Sequence, residues 1–319
     1  MNDWSQDCLR RFPRRLTRNQ KVSFLAYLEK ELQAREFATE QIKLRLLGIP
    51  NRLLLTKCEN PQMIFMAHYD TPTIMPPGIS PIYSLFGHTR QGISSIFLVV
   101  VLFALFILHS WLSALGMNLW ADILLLVVSI LFVIPFFFPN PHNTEDNTSG
   151  VLALLALAEK VKDQPFKDQA QFVFLDNEEW GLLGSQALKN NWQENNHLKP
   201  DTIIINLDCV ARGNIPLVVY HKRDRLAREV LPFLQSYLPR AITLDMKNMP
   251  LSDNFSFREY AAIDISVAEP SWVPGGYYIP KVHTPGDKDF SADKAARLIE
   301  GLADFLQYKL ADQPSRKED

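Results

Sequence analysis

Within residues 22–36 the apolar side chains Phe24, Leu25, Leu28 and Leu32 recur at helical spacing, which predicts an amphipathic helix. Apolar runs at 52–57, 63–67, 171–175, 202–207, 215–220 and 263–268 read as strands. Helical patterns return at 151–161, 182–190, 224–238 and 292–309. Strands alternating with helices of this length predict an α/β fold, with a mostly parallel central sheet flanked by helices. Residues 1–19 read as an irregular basic arm because Pro13 interrupts any helix. Residues 312–319 read as a disordered tail.

One stretch breaks this alternation. Residues 93–138 contain a single Asp, Glu, Lys or Arg, which is Asp122. The stretch divides at Gly116, Met117 and Asn118 into apolar segments 93–115 and 119–138, each long enough to cross ~30 Å of hydrocarbon. Trp111 and Trp120 flank the turn, where interfacial aromatics are favoured. The expectation is an inserted two-helix transmembrane hairpin, with Asp122 reaching water at its tip. The competing reading, a pair of core helices, normally comes with a polar stripe that is missing here. The remainder is then a discontinuous domain, 20–92 and 139–311.

Net charge of −2 and a pI near 6.4 exclude a globally basic nucleic-acid binder. Cys8, Cys58 and Cys209 have no motif spacing, so neither a disulfide framework nor a thiolate zinc site is expected. The first residues lack the apolar core of a secretion signal. A hairpin returns the chain to its starting side, and Arg90 flanks it there while the tip carries no Lys or Arg. Both points favour a cytoplasmic domain. Arg10, Arg11, Arg14, Arg15 and Arg18 in the arm suit either contact with anionic lipid or plain solvation.

Five short segments carry candidate chemistry. In the first, a strand ends in His68-Tyr69-Asp70, a spacing that lets a carboxylate fix the imidazole tautomer. The second places Asp146 just before an apolar helix, where helix capping is the simpler explanation. Asn147-Thr148-Ser149 matches a glycosylation acceptor, discounted on the cytoplasmic side. In the third, Asp176, Glu178 and Glu179 close a buried strand, a costly grouping without a nearby cation unless the loop is simply solvated. The fourth ends a strand in Asp208, and the fifth opens a Pro-Gly turn with His283.

In this order the segments resemble the two-zinc exopeptidase family that includes bacterial leucyl aminopeptidases and glutamate carboxypeptidase, with glutaminyl cyclases as distant relatives. The family pattern is H-x-D, D-N-x-S-G, E-E-x-G-L-x-G-S, an Asp after a strand, and H-T-P-x-D, and every step is matched. The resemblance implies two Zn2+ ions, or other divalent transition metals, bridged by Asp146. His68 and Asp208 complete one ligand set, Glu179 and His283 the other. Asp70 is implied to orient His68, and Glu178 to be the general base. Ser252, Asp253 and Asp287 echo the family without an assigned role. The implied activity is a membrane-anchored aminopeptidase acting on peptides at the bacterial inner membrane, with residues 93–138 in the bilayer and no nucleic-acid partner. A glutaminyl cyclase-like transferase with one zinc and a non-catalytic membrane protein are the alternatives. Trp272, Tyr277 and Tyr278 suit either a substrate pocket or the core. One departure from relatives is the long connection between His68 and Asp146, which holds the insert. Asp146 follows Phe138 by only 8 residues, about 26–29 Å of extended chain at most.

Overall fold

The computed structural model describes residues 3–76, 78–88, 91–245 and 251–311. The expected tail at 312–319 and Arg90 lie outside them. Buried on every residue, β3 (Met63–His68) and β4 (Ala170–Leu175) run in parallel, as continuous apolar strands do when helices cover both faces. β5 (Ile203–Leu207) extends the parallel set on the other side of β3, and β8 (Ala261–Pro270) follows β5. Antiparallel pairs flank this centre. β1 (Thr39–Leu46) and β2 (Ile49–Thr56) form a hairpin joined to β4, and β6 (Ile215–Tyr220) lies between β8 and β7 (Ile242–Asp245). β9 (Tyr277–Tyr278) pairs with the end of β8. The strand order is β1-β2-β4-β3-β5-β8-β6-β7, so the sheet is mixed rather than mostly parallel.

β1 is absent from the sequence reading because five of its eight residues are polar or charged and it forms no apolar run, with Ile42 and Leu44 packing inward. It forms because Leu47 and Gly48 both take positive φ, the backbone a tight right-twisting hairpin requires.

Side chains alternate along β3 and feed two cores. Phe65 and Ala67 pack with α2 (Arg18–Gln33), α6 (Gly150–Val161) and α9 (Ala292–Ala311). Ile64 and Met66 pack with Leu188 and Trp192 of α7 (Leu183–Glu194) and with Phe257. Each large apolar side chain fully buried in this way contributes about 1.5–3 kcal/mol. α8 (Arg225–Tyr237) packs against α9.

The arm is not irregular. Residues Asp3–Arg11 form α1, and Pro13 ends that helix instead of preventing it. Cys8 is fully buried, and the Phe12 ring lies 5.2 Å from Phe24 and 5.0 Å from Tyr27.

The insert begins with α3 (Ile79–Phe86) and continues as α4 (Gln91–Ala114) and α5 (Asn118–Val133), which pack against each other in a helical hairpin. Its two ends lie side by side: Thr73 bridges Pro139, and the Ile74 N–H donates to the Phe138 carbonyl at 2.9 Å. Among the described residues one helix, Asn118–Phe137, is long and apolar enough to cross a membrane, with mean hydropathy 2.5 and 6% of it buried. Val99–Ala114 is a shorter apolar stretch. A core helix would be covered by the rest of the chain, whereas Phe103, Phe106, Trp111, Trp120 and Phe137 stand exposed. Asp122, exposed near the tip, lies 3.2 Å from His109 across the hairpin.

Candidate metal centre

Parallel register brings the site together. His68 is level with Leu175 of β4, and Met66 with Asn206 of β5, so the chain leaves all three strands at one edge of the sheet. Beyond that edge lie Asp70, the turn bearing Glu178 and Glu179, and Asp208. Ligands gather at such strand ends in open α/β sheets.

Asp146 sits between the two histidines. Its Oδ1 is 3.3 Å from His68 Nε2 and its Oδ2 is 2.8 Å from His283 Nε2. His68 Nε2 is also 3.7 Å from Asp208 Oδ1, and His283 Nε2 is 3.4 Å from Glu179 Oε2. Three overlapping sets each have their ligand atoms within 4.8 Å of one another: His68, Asp146 and Asp208; His68, Glu178 and Glu179; Asp146, Glu179 and His283.

The supporting contacts explain why these side chains converge. Asp70 faces His68 Nδ1 at 3.4 Å and accepts the backbone N–H groups of Glu178 and Glu179 at 3.1 and 3.3 Å. It thereby ties the end of β3 to the glutamate turn. Asp287 accepts the N–H groups of Glu145 and Asp146 at 2.9 and 3.2 Å, joining the His283 loop to the Asp146 loop. On either side of Asp146, buried Glu145 accepts N–H groups of Ala211 and Arg212, and Asn147 accepts those of Cys209 and Gly150. Both residues therefore grip the turn that presents Asp208. Ser252 donates to Asp208 Oδ2 at 2.7 Å.

Two glycines permit the close approach. A Cβ at Gly150 would lie 2.3 Å from the Leu207 carbonyl oxygen, and one at Gly184 would lie 1.9 Å from that of Asp176. Helices α6 and α7 can start against the strand ends only without side chains at these positions.

The centre carries more carboxylates than imidazoles. Burial, then repulsion from Glu179, Asp208 and Asp253, holds Glu178 well above the usual carboxylate range. Glu179 is shifted the same way by burial and by Asp146. Burial alone would lower the pKa of His68, but Glu178, Asp146, Asp208 and Asp70 outweigh it and raise it well above the ordinary value. Burial also disfavours ionised Asp146, yet the contacts with His283 and His68 hold its pKa below normal.

A cation fits this environment. His68 is fully buried and neither ring nitrogen has a hydrogen-bond partner of good geometry; buried Glu179 Oε1 also has none. Imidazole nitrogen and carboxylate oxygen are donors that suit zinc.

Asp176, grouped with the glutamates in the sequence, is not part of the centre. Its carboxylate turns to Lys21 Nζ at 2.5 Å, so the cation it requires is a lysine of α2. Trp272 is 81% exposed, while Tyr277 and Tyr278 are half-buried in β9. The sequence reading passed over Glu145 and Lys21, named Asn147 only as a motif residue and a discounted glycosylation acceptor, and gave Ser252 and Asp287 no role. Of these, Asp287 carried a usable signal, as the acid closing H-T-P-G-D.

The sequence model of peptidase family M28 matches residues 140–303, just over half of the chain. A search of the curated proteins gave no match. Among solved structures, the fold is similar to the LapA aminopeptidase of Legionella pneumophila (TM-score 0.62, 14% identity, covering 98% of this chain and 71% of that one). It is also similar to a Zn-dependent exopeptidase of Parabacteroides distasonis (0.59, 15%, 97% and 96%). A third similar structure is the glutaminyl cyclase of Porphyromonas gingivalis (0.63, 16%, 96% and 96%). At these identities the likeness is one of fold.

Proposed function

Because this chain belongs to peptidase family M28, we propose that it is a zinc-dependent aminopeptidase held at a membrane by its helical hairpin. One observation carries the reading: the Asp146 carboxylate lies between His68 and His283, with one oxygen toward each. Two zinc ions fit this arrangement, with Asp146 shared, His68 and Asp208 on one side and Glu179 and His283 on the other. One structural relative is a Zn-dependent exopeptidase, which supports the choice of metal. When bound, zinc supplies a Lewis acid for the scissile carbonyl and acidifies water.

The chain's own residues then divide the work. Glu178 accepts the proton of the attacking water on its carboxylate and returns it to the leaving amine. Asp70, at 3.4 Å from His68 Nδ1, holds that imidazole with Nε2 toward the centre. Similarity of fold to the LapA aminopeptidase favours aminopeptidase over carboxypeptidase action.

The purified full chain should hydrolyse some members of an aminoacyl reporter series. The hydrolysis should stop with chelator and return with zinc. Failure on every N-terminal residue, or cyclisation of N-terminal glutamine peptides instead, would overturn the aminopeptidase reading.

The anchor reading is supported by the exposed apolar helix Asn118–Phe137 and by the adjacent ends of the insert. It places the catalytic domain against the bilayer surface, on the cytoplasmic side. Replacing residues 93–138 with a short linker should move the protein from the membrane pellet to the supernatant with chelator-sensitive activity retained. A shortened protein that still pelleted with membranes would remove the anchor.

A further inference from the structure

The basic arm is the sequence feature that neither the chemistry nor the anchor uses. Its arginines differ sharply in place. Arg10 and Arg11 pair with Asp7 at the surface, at 3.1 and 2.7 Å. Arg15 instead is the largest fully buried side chain among the described residues. Its guanidinium lies over the Phe24 ring, 4.8 Å from the centroid. Nε–H donates to the Tyr69 carbonyl, and Nη1 donates to the Phe12 carbonyl at 2.7 Å. The Arg15 backbone N–H donates to Thr71 Oγ1 at 2.9 Å. Two residues earlier, the Pro13 carbonyl accepts from Asn143 Nδ2 at 2.7 Å.

These contacts have a common target. Tyr69 lies between His68 and Asp70, and Asn143 lies three residues before Asp146. Residues 13–15 thus strap together the two loops that bring Asp146 to His68. Burying a guanidinium is expensive, and Nη2 has no hydrogen-bond partner at all. Its burial is opposed by desolvation and favoured by the negative field of Asp70, Asp146 and Asp287. A buried leucine would fill the space at far lower cost, but it would not hold the Tyr69 and Phe12 carbonyls as the planar guanidinium does.

We propose that Arg15 is a positioning residue for the metal centre: it fixes the backbone between His68 and Asp70 from behind, so that the imidazole meets Asp146 and Asp208 across the metal site. The proposal rests on the zinc reading above. Mutating groups that support a metal ligand weakens metal affinity by about 10–100-fold. The full-length Arg15→Gln variant should show such a loss in zinc affinity by competition with a chromogenic chelator. Its kcat should fall while KM stays close to wild type. Arg15→Lys keeps the charge but not the fork, and it should not restore affinity. Arg10→Ala should behave as wild type.

A merely structural arginine would lower the melting temperature and leave zinc affinity of the folded protein unchanged. That result, or full recovery by Arg15→Lys, would overturn the proposal. Should Arg15→Gln fail to fold, Thr71→Val carries the test. It cuts the Arg15 N–H contact at nearly constant volume, so a smaller loss of zinc affinity supports the strap and an unchanged affinity overturns it. A wild-type protein that binds no zinc would instead defeat the underlying zinc reading.

Discussion

Glu178→Gln is expected to abolish turnover and leave the metal centre loaded. The amide matches the carboxylate in size, so the packing of the turn and the two N–H contacts to Asp70 survive. What is lost is the group that takes a proton from water, worth about 10²–10⁴-fold in rate. The loss belongs to the transition state, so kcat should fall with KM nearly unchanged. Glu179→Gln should act differently. Glu179 Oε2 lies 3.4 Å from His283 Nε2 and belongs to the set with Asp146, so its loss should deplete bound metal as well as activity. Measuring metal content and steady-state rates on both variants separates the roles. An active Glu178→Gln protein would remove Glu178 as the base. So would a Glu178→Gln protein that had lost its metal.

The two glutamates and Asp176 also show where sequence reasoning stops. All three follow one apolar strand within four positions, and nothing local separates them. The separation comes from Lys21 of α2, 155 residues away, which donates to Asp176 and to the neighbouring Asn177 side chain. The arm repeats the lesson. Arg14 and Arg15 are neighbours in a basic run, yet only Arg15 is fully buried, because the turn after Pro13 directs it beneath β3. Other parts were legible for physical reasons. His68, Glu178 and Asp208 close apolar runs, and parallel strands in register deliver their ends to one edge. Gly150 and Gly184 belong to recognisable motifs because a Cβ there would lie only 2.3 and 1.9 Å from the Leu207 and Asp176 carbonyl oxygens. The concentration of apolar residues in the insert was legible from composition; many of them are exposed, and one of its helices, Asn118–Phe137, is long and apolar enough to cross a membrane.

Zinc should raise the melting temperature, and raise it more at pH 8 than at pH 5.5. The sign follows from the metal-free centre. Glu178 and Glu179 are held well above the usual carboxylate range, first by burial and then by neighbouring acids. Burial and Asp146 likewise push Asp287 up to about 7, against the N–H groups it accepts. His68 and His283 are raised by the acids around them despite burial. Groups with raised folded pKa values contribute stability that is complete below their unfolded values and is lost as pH rises through the folded ones. The acids therefore withdraw support from about pH 4 upward, through about 7 for Asp287, and the imidazoles from about 6.5 upward. Asp70 and Asp146 have lowered values, and their contribution disappears only in acid, below about pH 4. The metal-free protein should thus lose stability steadily between pH 5.5 and 8. Zinc requires deprotonated ligands and offsets the exposed charge, so its binding tightens over the same interval. At a free zinc concentration a hundredfold above Kd the gain is about 2.7 kcal/mol, a rise of roughly 4–5 °C for a chain of this size. Differential scanning fluorimetry with and without zinc at the two pH values measures it. Asp146→Ala should abolish the zinc response at both. A metal-free profile flat in pH, or an equal zinc shift at pH 5.5 and 8, would mean that these carboxylates and imidazoles do not form the metal centre.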